Sequence, residues 1–250
     1  MEIIFDNVKT TKLDNVSFTI NKPGIYSFIG SSNSGISDIG LLLTKNEVNS
    51  GKVKCSTQNI GYVLNNPYDM FKHKTIYDEL YSYMQRYKNK SDSRIEEALK
   101  LVNLDSDYLG KLPSDLNINE SRKLSLACTL ISNPKVIILD SITSGLISKD
   151  KKELIRLLKI LKNKSNRIII LITKDTDFCY EVSDYVYLFN EGKIIESGKK
   201  EILETFDLNS INLEVPNIIS FVKSCRKQGH DISYYTNIMD LIKAVYRDVY

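Results

Sequence analysis

The chain has 250 residues, of which 42% are hydrophobic and 26% charged, so it can build a large core and is not a disordered polymer. Its 34 basic and 31 acidic side chains leave a formal charge of +3, too small to indicate nucleic-acid binding. The apolar runs are far shorter than the ~20 residues of a membrane-spanning helix, and the first residues lack a signal-peptide pattern. Four separated cysteines without a C-x-x-C pair, and two histidines without a ligand cluster, predict reduced thiols and no metal site.

The first part of the chain is predicted to form short β-strands. Apolar residues indicate strands over 3–5, 16–20 and 25–29, with a turn at 21–24 between the last two. A loop rich in glycine and serine follows at 30–35. The apolar segment 36–43 after that loop is predicted to begin a helix.

The remainder alternates between helices and strands. Residues 67–133 are predicted to be mostly helical, and the clearest helix carries Leu124, Ala127, Cys128 and Ile131 at helical spacing. Strands are predicted over 136–140 and 167–173, separated by a helix with a leucine stripe, and a short helix and two strands joined by the turn 190–192 come next. Continuous apolar strands that alternate with helices favour a parallel sheet covered on both faces. From 199 the pattern is helical again, ending in the apolar stripe Ile238, Leu241, Ile242 and Val245.

Residues 30–37 have the G-x-x-x-x-G spacing of a phosphate-binding loop between a strand and a helix. The serine that closes this pattern, Ser37, is present. Ile36, however, stands where the pattern requires lysine. Two glycines and a serine indicate a phosphate loop only weakly on their own.

Six further motifs follow in a fixed order, at 61–67, 116–120, 136–140, 144–146, 172–175 and 192–195. Together with 30–37, their order and spacing resemble the ATP-binding cassette (ABC) family, with its Walker A, Q-loop, signature, Walker B, D-loop and H-loop motifs. The segments 213–216, 225–229 and 236–241 are similar to the ATPase subunits of energy-coupling factor (ECF) importers of vitamins and metals.

The resemblance implies an α/β fold with a P-loop NTPase core, in which helices cover both faces of a mixed or parallel sheet. It also implies an N-terminal antiparallel β-subdomain and a helical subdomain at about 67–133. We therefore expect an ABC ATPase-like domain over 1–198 and a helical, dimerisation-type appendage over 199–250.

The resemblance places a vestigial nucleotide site at Gly30, Ser31, Asn33, Ser34, Gly35, Ile36, Ser37, Asp38, Asn65 and Asp140. Ile36 replaces the lysine that neutralises phosphate, a loss of up to ~4 kcal/mol of attraction at an effective dielectric of 20. Asn65 replaces the Q-loop glutamine. Ser37 and Asp140 are the residues that would hold Mg²⁺.

The remaining catalytic positions also depart from the family pattern. Ser141 replaces the glutamate after Walker B, and a serine cannot accept a proton from water near neutral pH. Lys174 replaces the H-loop histidine and Ile147 the D-loop aspartate, so no catalytic residue is assigned. The signature LSGGQ has become Leu116, Asn117, Ile118, Asn119 and Glu120.

Carboxylates are predicted at two helix starts that hold phosphate in active cassettes through free N–H groups and the helix dipole. Asp38 falls in the first turn after the phosphate loop, while Asn117 and Glu120 have capping-box spacing. We predict that these acidic groups replace phosphate, so that ATP and Mg²⁺ bind weakly or not at all. The alternative at each position is a simple helix cap. Lys174 is expected to be solvated or paired with Asp175, or alternatively to turn toward the phosphate loop and restore its charge.

The resemblance implies a degenerate ATP-binding subunit of an ECF-type importer. Such a subunit would pair with a second ATPase subunit, identical or different. It would contact a transmembrane coupling protein through the groove beside 65–71, and it would lie at the cytoplasmic face of the membrane. No binding of nucleic acid is expected. Because each cassette site combines one P-loop with the partner's signature helix, both sites would be impaired, and this chain's own hydrolysis is predicted to be absent or very weak. The alternatives are an active ATPase with atypical site residues, and a soluble interaction protein of cassette fold outside transport.

Overall fold

The computed structural model describes residues 1–45, 48–85 and 91–249 as an α/β fold. Its strands are β1 (Ile3–Lys9), β2 (Val16–Ile20), β3 (Gly24–Gly30), β4 (Ser50–Cys55), β5 (Ile60–Val63), β6 (Val136–Asp140), β7 (Ile168–Thr173), β8 (Tyr185–Asn190) and β9 (Lys193–Lys199). Its helices are α1 (Ser37–Lys45), α2 (Ile76–Met84), α3 (Asp92–Leu101), α4 (Ile118–Ile131), α5 (Ser148–Ser165), α6 (Thr176–Val182), α7 (Ile202–Thr205), α8 (Asn217–Lys227) and α9 (Ile238–Val249).

The main sheet has six strands in the order β5-β6-β7-β3-β8-β9. Neighbouring strands are parallel except β8 and β9, which form an antiparallel hairpin. Every residue of β6 and β7 is buried, because these continuous apolar runs lie at the centre with helices on both faces. The predicted parallel sheet is confirmed, and the hairpin at its edge makes it mixed.

A smaller antiparallel sheet lies at the N-terminal side, in the order β2-β1-β4. Strand β2 buries alternate residues, which is typical of a sheet with one face in the core. This sheet is the antiparallel subdomain that the resemblance implied, although strand β4 was not among the predicted strands. Strand β1 also runs four residues further than the predicted 3–5, past an irregularity where Asn7 has a φ of 48°.

Helices α2, α3 and α4 make up the described part of 67–133, together with short 3-10 turns, so the prediction of a mostly helical middle is confirmed. Two hydrophobic clusters lie on opposite faces of the main sheet. Ile137 and Leu139 of β6 face the cluster that α4 and α5 cover, while Val136 and Ile138 face the cluster that α1 and the small sheet cover. The alternation follows from the two-residue period of a strand.

The C-terminal part packs partly on the main domain. Leu203, Leu208 and Ile219 share a buried cluster with Ile29 and Leu188 of the main sheet. Helix α9 then rests on α8 through a small cluster, and the predicted stripe over 238–245 is divided by this contact. The boundary between 198 and 199 stays a prediction.

Packing within the chain covers only part of the apolar stripe of α9. Leu241 is 2% exposed against α8, whereas Ile238 and Ile242 are 50% and 41% exposed. The reason is geometric, because one helix meets a single neighbour along only one edge. Within the described ranges, no helix is long and apolar enough to cross a membrane.

Candidate functional site

The predicted phosphate loop connects β3 to α1 in a tight, left-handed turn. Asn33 and Gly35 have φ angles of 70° and 83°, and Ser34 N–H donates to the carbonyl of Ser31 at 3.1 Å. A Cβ atom at Gly35 would lie 2.6 Å from the carbonyl oxygen of Lys12, so only glycine fits there. The hydroxyl of Ser34 is buried without a hydrogen-bond partner. The loop therefore keeps the backbone form of an anion cradle.

Ile36 lies below this loop with an 8% exposed side chain and belongs to the cluster between α1 and the small sheet. The position that the phosphate-loop pattern assigns to lysine has become part of the core. Replacing its charge with an apolar side chain therefore leaves the loop stable and removes its cation.

An open cleft of about 1050 Å³ lies above the loop, at the carboxyl ends of β3, β6 and β7. This is where ligands bind in open α/β sheets. The structure brings most of the predicted site residues together on its walls: Gly30, Ser31, Asn33, Ser34, Gly35, Ile36, Ser37, Asp38, Asn65, Ser141 and Lys174. Asp140 lies beneath the cleft, and the signature residues 116–120 belong to a different part of the surface.

The lining also contains residues that sequence reasoning missed. Lys12 precedes β2 and belongs to no motif, while Lys151 lies in a basic run that reads as a solvated helix face. Residues 212–214 of the C-terminal part form another wall. Lys12 and Lys151 lie outside the motifs, and although 213–216 was singled out by resemblance, nothing in the sequence placed it beside the phosphate loop.

The charge of the described lining is unfavourable for a triphosphate. Its three lysines are outnumbered by four carboxylates, on Asp38, Asp175, Asp177 and Glu214. No aromatic ring is part of that lining, so a purine base would find no surface on which to stack.

Asp38 does not satisfy the start of α1, so that part of the two-carboxylate prediction is wrong. Its carboxylate accepts a hydrogen bond from Thr10 Oγ1 at 2.9 Å and lies 3.7 Å from Lys12 Nζ. These partners belong to the loop before β2, which passes beside the start of α1.

The second predicted carboxylate, at the start of α4, is confirmed as a capping box. Asn117 Oδ1 accepts hydrogen bonds from the N–H groups of Asn119 and Glu120, both at 3.0 Å. Glu120 Oε2 accepts from Asn117 N–H at 2.9 Å, and its other oxygen accepts from the hydroxyl of Tyr108 at 2.7 Å. The hydrogen bond from Tyr108, followed by that from Asn117, lowers the pKa of Glu120.

Asp140 ends β6 with a 3% exposed side chain. Its Oδ2 accepts from the hydroxyl of Tyr62 at 3.2 Å and its Oδ1 from the hydroxyl of Ser141 at 3.0 Å. Burial raises the pKa of Asp140, against the opposing effects of hydrogen bonds from Ser141, Ser37 and Tyr62. Arg122 of α4 donates to the carbonyl of Ser141 at 3.1 Å, so the signature helix is joined to this strand end.

Asp175 pairs with Lys151 at 2.7 Å and caps α6 through Phe178 N–H, so of the two expectations for Lys174, solvated or paired with Asp175, the structure contradicts the pairing and agrees with the solvated side chain. Helix α5 brings Lys151 to Asp175 from the other side of the cleft. Lys174 is exposed on the cleft wall, and no ion-pair partner for it occurs in the described part of the chain.

Comparison with known proteins decides the family. The model of the ABC transporter family matches residues 13–144, which is more than half of the chain. The chain belongs to the ABC transporter ATP-binding family. It is 30% identical over 256 aligned positions to the energy-coupling factor transporter ATP-binding protein EcfA2 of Streptococcus agalactiae, with 93% of this chain and 91% of that protein covered.

Other relatives agree with this assignment. A putative ABC transporter ATP-binding protein of Clostridium tetani is 29% identical over 74% of this chain, which spans only 45% of that protein's length. Among solved structures, cbiO1 from Clostridium perfringens, described as part of the ABC transporter complex cbiONQ, has a TM-score of 0.71 at 20% identity over 88% of this chain and 98% of its own. The cassette MJ0796, solved as a dimer bound to ADP and Pi, has a TM-score of 0.72 at 20% identity over 79% of this chain and 98% of its own. These structures establish the ABC ATPase fold.

The residues fit the magnesium nucleotide of an ABC ATPase only in part. The phosphate loop offers its amide cradle and the unpartnered hydroxyl of Ser34. The positions expected to supply a cation and to bind the metal do not fit. Ile36 is packed in the core, and each oxygen of Asp140 accepts a hydrogen bond from a hydroxyl group of the chain itself.

Proposed function

We propose that this chain is a degenerate ATPase subunit of an ECF-type ABC importer, acting as a structural or regulatory half with little or no hydrolysis of its own. Ser141 carries this proposal. Its side chain donates to Asp140 and offers no carboxylate that could take a proton from water. The net negative lining of the cleft and the buried Ile36 support weak or absent binding of ATP and Mg²⁺.

A transmembrane coupling protein is the first proposed partner, with the chain lying at the cytoplasmic face of the membrane. Beside the Q-loop position, a groove of about 350 Å³ is lined by Tyr68, Phe71, His73, Lys74, Leu112, Pro113 and Ser114. Tyr68 and Leu112 are 39% and 40% exposed, which gives the groove an apolar floor for a partner helix. The buried carboxylate of Glu79 accepts hydrogen bonds from the backbone N–H groups of Lys72 and His73, both at 2.8 Å. These bonds hold the loop that forms one side of the groove.

A second ATPase subunit is the other proposed partner. Helix α9 exposes a row of large apolar side chains that its packing on α8 leaves uncovered: Ile238, Met239, Ile242 and Tyr246. A contiguous apolar face on a soluble domain marks an interaction surface. The ECF relatives and the dimeric cassette MJ0796 support this reading.

Two measurements test the proposal. Co-expression with a candidate coupling protein and an intact ATPase subunit is expected to yield a membrane-associated complex, and a monodisperse monomer that never associates would contradict it. Calorimetry of the purified chain with magnesium-ATP is expected to show no binding tighter than about 1 mM, which corresponds to about −4 kcal/mol. A dissociation constant in the low micromolar range would refute the loss of nucleotide binding.

The alternative of an active ATPase has one observation in its favour, which is the exposed, unpaired Lys174 on the described cleft wall. If Lys174 supplies the phosphate cation, the assembled complex should hydrolyse ATP, and Lys174→Ala should abolish turnover. Lys149→Ala, which removes another exposed lysine near the start of α5, is the matched control. Turnover that is lost in both Lys174→Ala and Asp140→Asn, and kept in Lys149→Ala, would favour this alternative.

A further inference from the structure

We propose that Tyr62 closes the Walker B carboxylate of Asp140 to divalent cations. The inference deepens the proposed function, on which it rests for the assignment of Asp140 to the metal side of the cleft. Tyr62 acts here as a positioning residue, since its hydroxyl determines which groups can reach the carboxylate.

The first observation is the pairing of strands β5 and β6. Tyr62 of β5 lies opposite Ile138 of β6, two residues before Asp140, so its ring runs along the strand end toward the carboxylate. The hydroxyl donates to Asp140 Oδ2 at 3.2 Å, while Ser141 donates to Oδ1 at 3.0 Å. Each oxygen of this 3% exposed carboxylate therefore already has a donor from the chain.

The second observation is the space that Gly40 leaves for the ring. A Cβ atom at Gly40 of α1 would lie 2.8 Å from both Cζ and the hydroxyl oxygen of Tyr62, and 3.2 Å from Ile138 Cγ2. The phenol thus passes between α1 and β6 through a gap that only glycine permits. The same close packing prevents the ring from moving toward α1 to make room for a cation and its waters.

The third observation concerns charge. Burial raises the pKa of Asp140, and the positive charge of Arg122, which is 6% exposed and donates to the neighbouring Ser141 carbonyl, is one of the weaker influences that favour the charged form. Magnesium and manganese bind through carboxylate oxygens and keep several waters, so a hydrated cation at Oδ2 competes with the hydroxyl of Tyr62 for the space beside that oxygen. A cation that approaches Asp140 has to displace the hydroxyl of Tyr62 and the hydrogen bond that it makes with a buried charged acceptor, which lowers the apparent affinity by about tenfold or more.

Manganese binding to the full-length chain, measured by electron paramagnetic resonance without nucleotide, tests this inference. Wild type and Asp140→Asn are expected to bind Mn²⁺ equally weakly, because Asp140 is closed in the native protein. Tyr62→Phe removes only the hydroxyl and should raise the affinity about tenfold. The double variant Tyr62→Phe with Asp140→Asn should lose that gain.

Tyr185→Phe is the matched control, because it removes the hydroxyl of another partly buried tyrosine of the same sheet, whose partner is Ser197 at 3.5 Å. It should leave Mn²⁺ binding unchanged. The inference is overturned if wild type binds Mn²⁺ more tightly than Asp140→Asn, a comparison that does not require Tyr62→Phe to fold. It is also overturned if a folded Tyr62→Phe variant binds Mn²⁺ no more tightly than wild type, or if the double variant with Asp140→Asn keeps the increased affinity. The measurement needs neither ATP nor a partner, so its failure is separate from failure of the proposed function.

Discussion

Asn117 and Glu120 satisfy each other's backbone N–H groups at the start of α4. The side chain of Asn117 accepts from Glu120 N–H at 3.0 Å, and the side chain of Glu120 accepts from Asn117 N–H at 2.9 Å. The resemblance assigns these positions to the signature motif, where an active cassette presents free N–H groups and a positive helix end to its partner's nucleotide. In this chain the helix start is already occupied by an internal carboxylate, which leaves less of its dipole for a phosphate.

The first prediction concerns the stability of this helix start. Glu120→Ala and Asn117→Ala should each lower the free energy of unfolding by about 1 kcal/mol, because each leaves helix-terminal N–H groups without a partner. The double variant should lose less than the sum, since either change breaks the reciprocal pair. Urea denaturation measures all three. Glu97→Ala, which removes an exposed carboxylate from α3, is the control, and equal losses in the control would rule out a specific cap.

The second prediction concerns pH. The hydrogen bond from Tyr108 lowers the pKa of Glu120 below its ordinary value of 4.5, so the contribution of Glu120 to stability is present above that value and is lost as the pH falls through the native pKa. Tyr108→Phe should bring the pKa of Glu120 back toward its ordinary value and so reduce the stability that Glu120 contributes above that value and loses on acidification. Titration of the Glu120 carboxyl by NMR between about pH 2.5 and 7 measures the shift. An unchanged pKa in Tyr108→Phe would show that the hydroxyl does not stabilise the carboxylate.

The fold was predictable where the signal is local. Strands β6 and β7 are continuous apolar runs, and the buried face of α4 follows the helical period, so their types follow from the sequence alone. The capping box at 117–120 was also predictable, because its two residues are three apart and each accepts a hydrogen bond from the other's backbone N–H.

The site was less predictable because its contacts join distant parts of the chain. Asp38 has the spacing of a helix-start carboxylate, but its side chain instead accepts a hydrogen bond from the hydroxyl of Thr10, which lies 28 residues earlier. Tyr62 reaches Asp140 only through the register of β5 on β6. No local sequence pattern predicts the path of the loop before β2 or the register of two strands. The partners of Asp38 and Asp140 could therefore be identified only from the structure.

The third prediction tests whether the missing lysine alone explains weak nucleotide binding. Ile36→Lys should leave magnesium-ATP binding weaker than about 1 mM, because the four carboxylates of the cleft and the lack of a stacking ring remain. It should also lower the free energy of unfolding by about 1–3 kcal/mol, since it removes a buried apolar side chain from the core. Ile36→Met, which keeps the apolar volume without a charge, is the matched control for stability. Calorimetry that finds micromolar affinity in Ile36→Lys would mean that the rest of the nucleotide pocket is intact.

The fourth prediction concerns the contact that joins the C-terminal part to the cleft. Helix α8 begins after Pro216, whose side chain cannot cap it, and Asp177 on the cleft wall instead accepts Asn217 N–H at 2.7 Å and Asn217 Nδ2 at 2.6 Å. The neighbouring Thr176 hydroxyl donates to the carbonyl of Glu214 at 2.7 Å. Asp177 therefore caps a helix that lies 40 residues further along the chain.

Asp177→Ala should loosen the first turn of α8 and cost about 1 kcal/mol, which is typical for the loss of a helix cap. Hydrogen exchange is expected to quicken at the amides of 217–220, and limited proteolysis should cut sooner at 212–216, while the centre of the main sheet stays protected. Asp207→Ala is the control, because it removes an exposed carboxylate of the same C-terminal part whose side chain makes no cap hydrogen bond. If exchange at 217–220 is the same in both variants, the cap is not holding the segment. If it quickens only in Asp177→Ala, a ligand that draws Asp177 into the cleft would also release the start of α8, because the carboxylate cannot serve both partners.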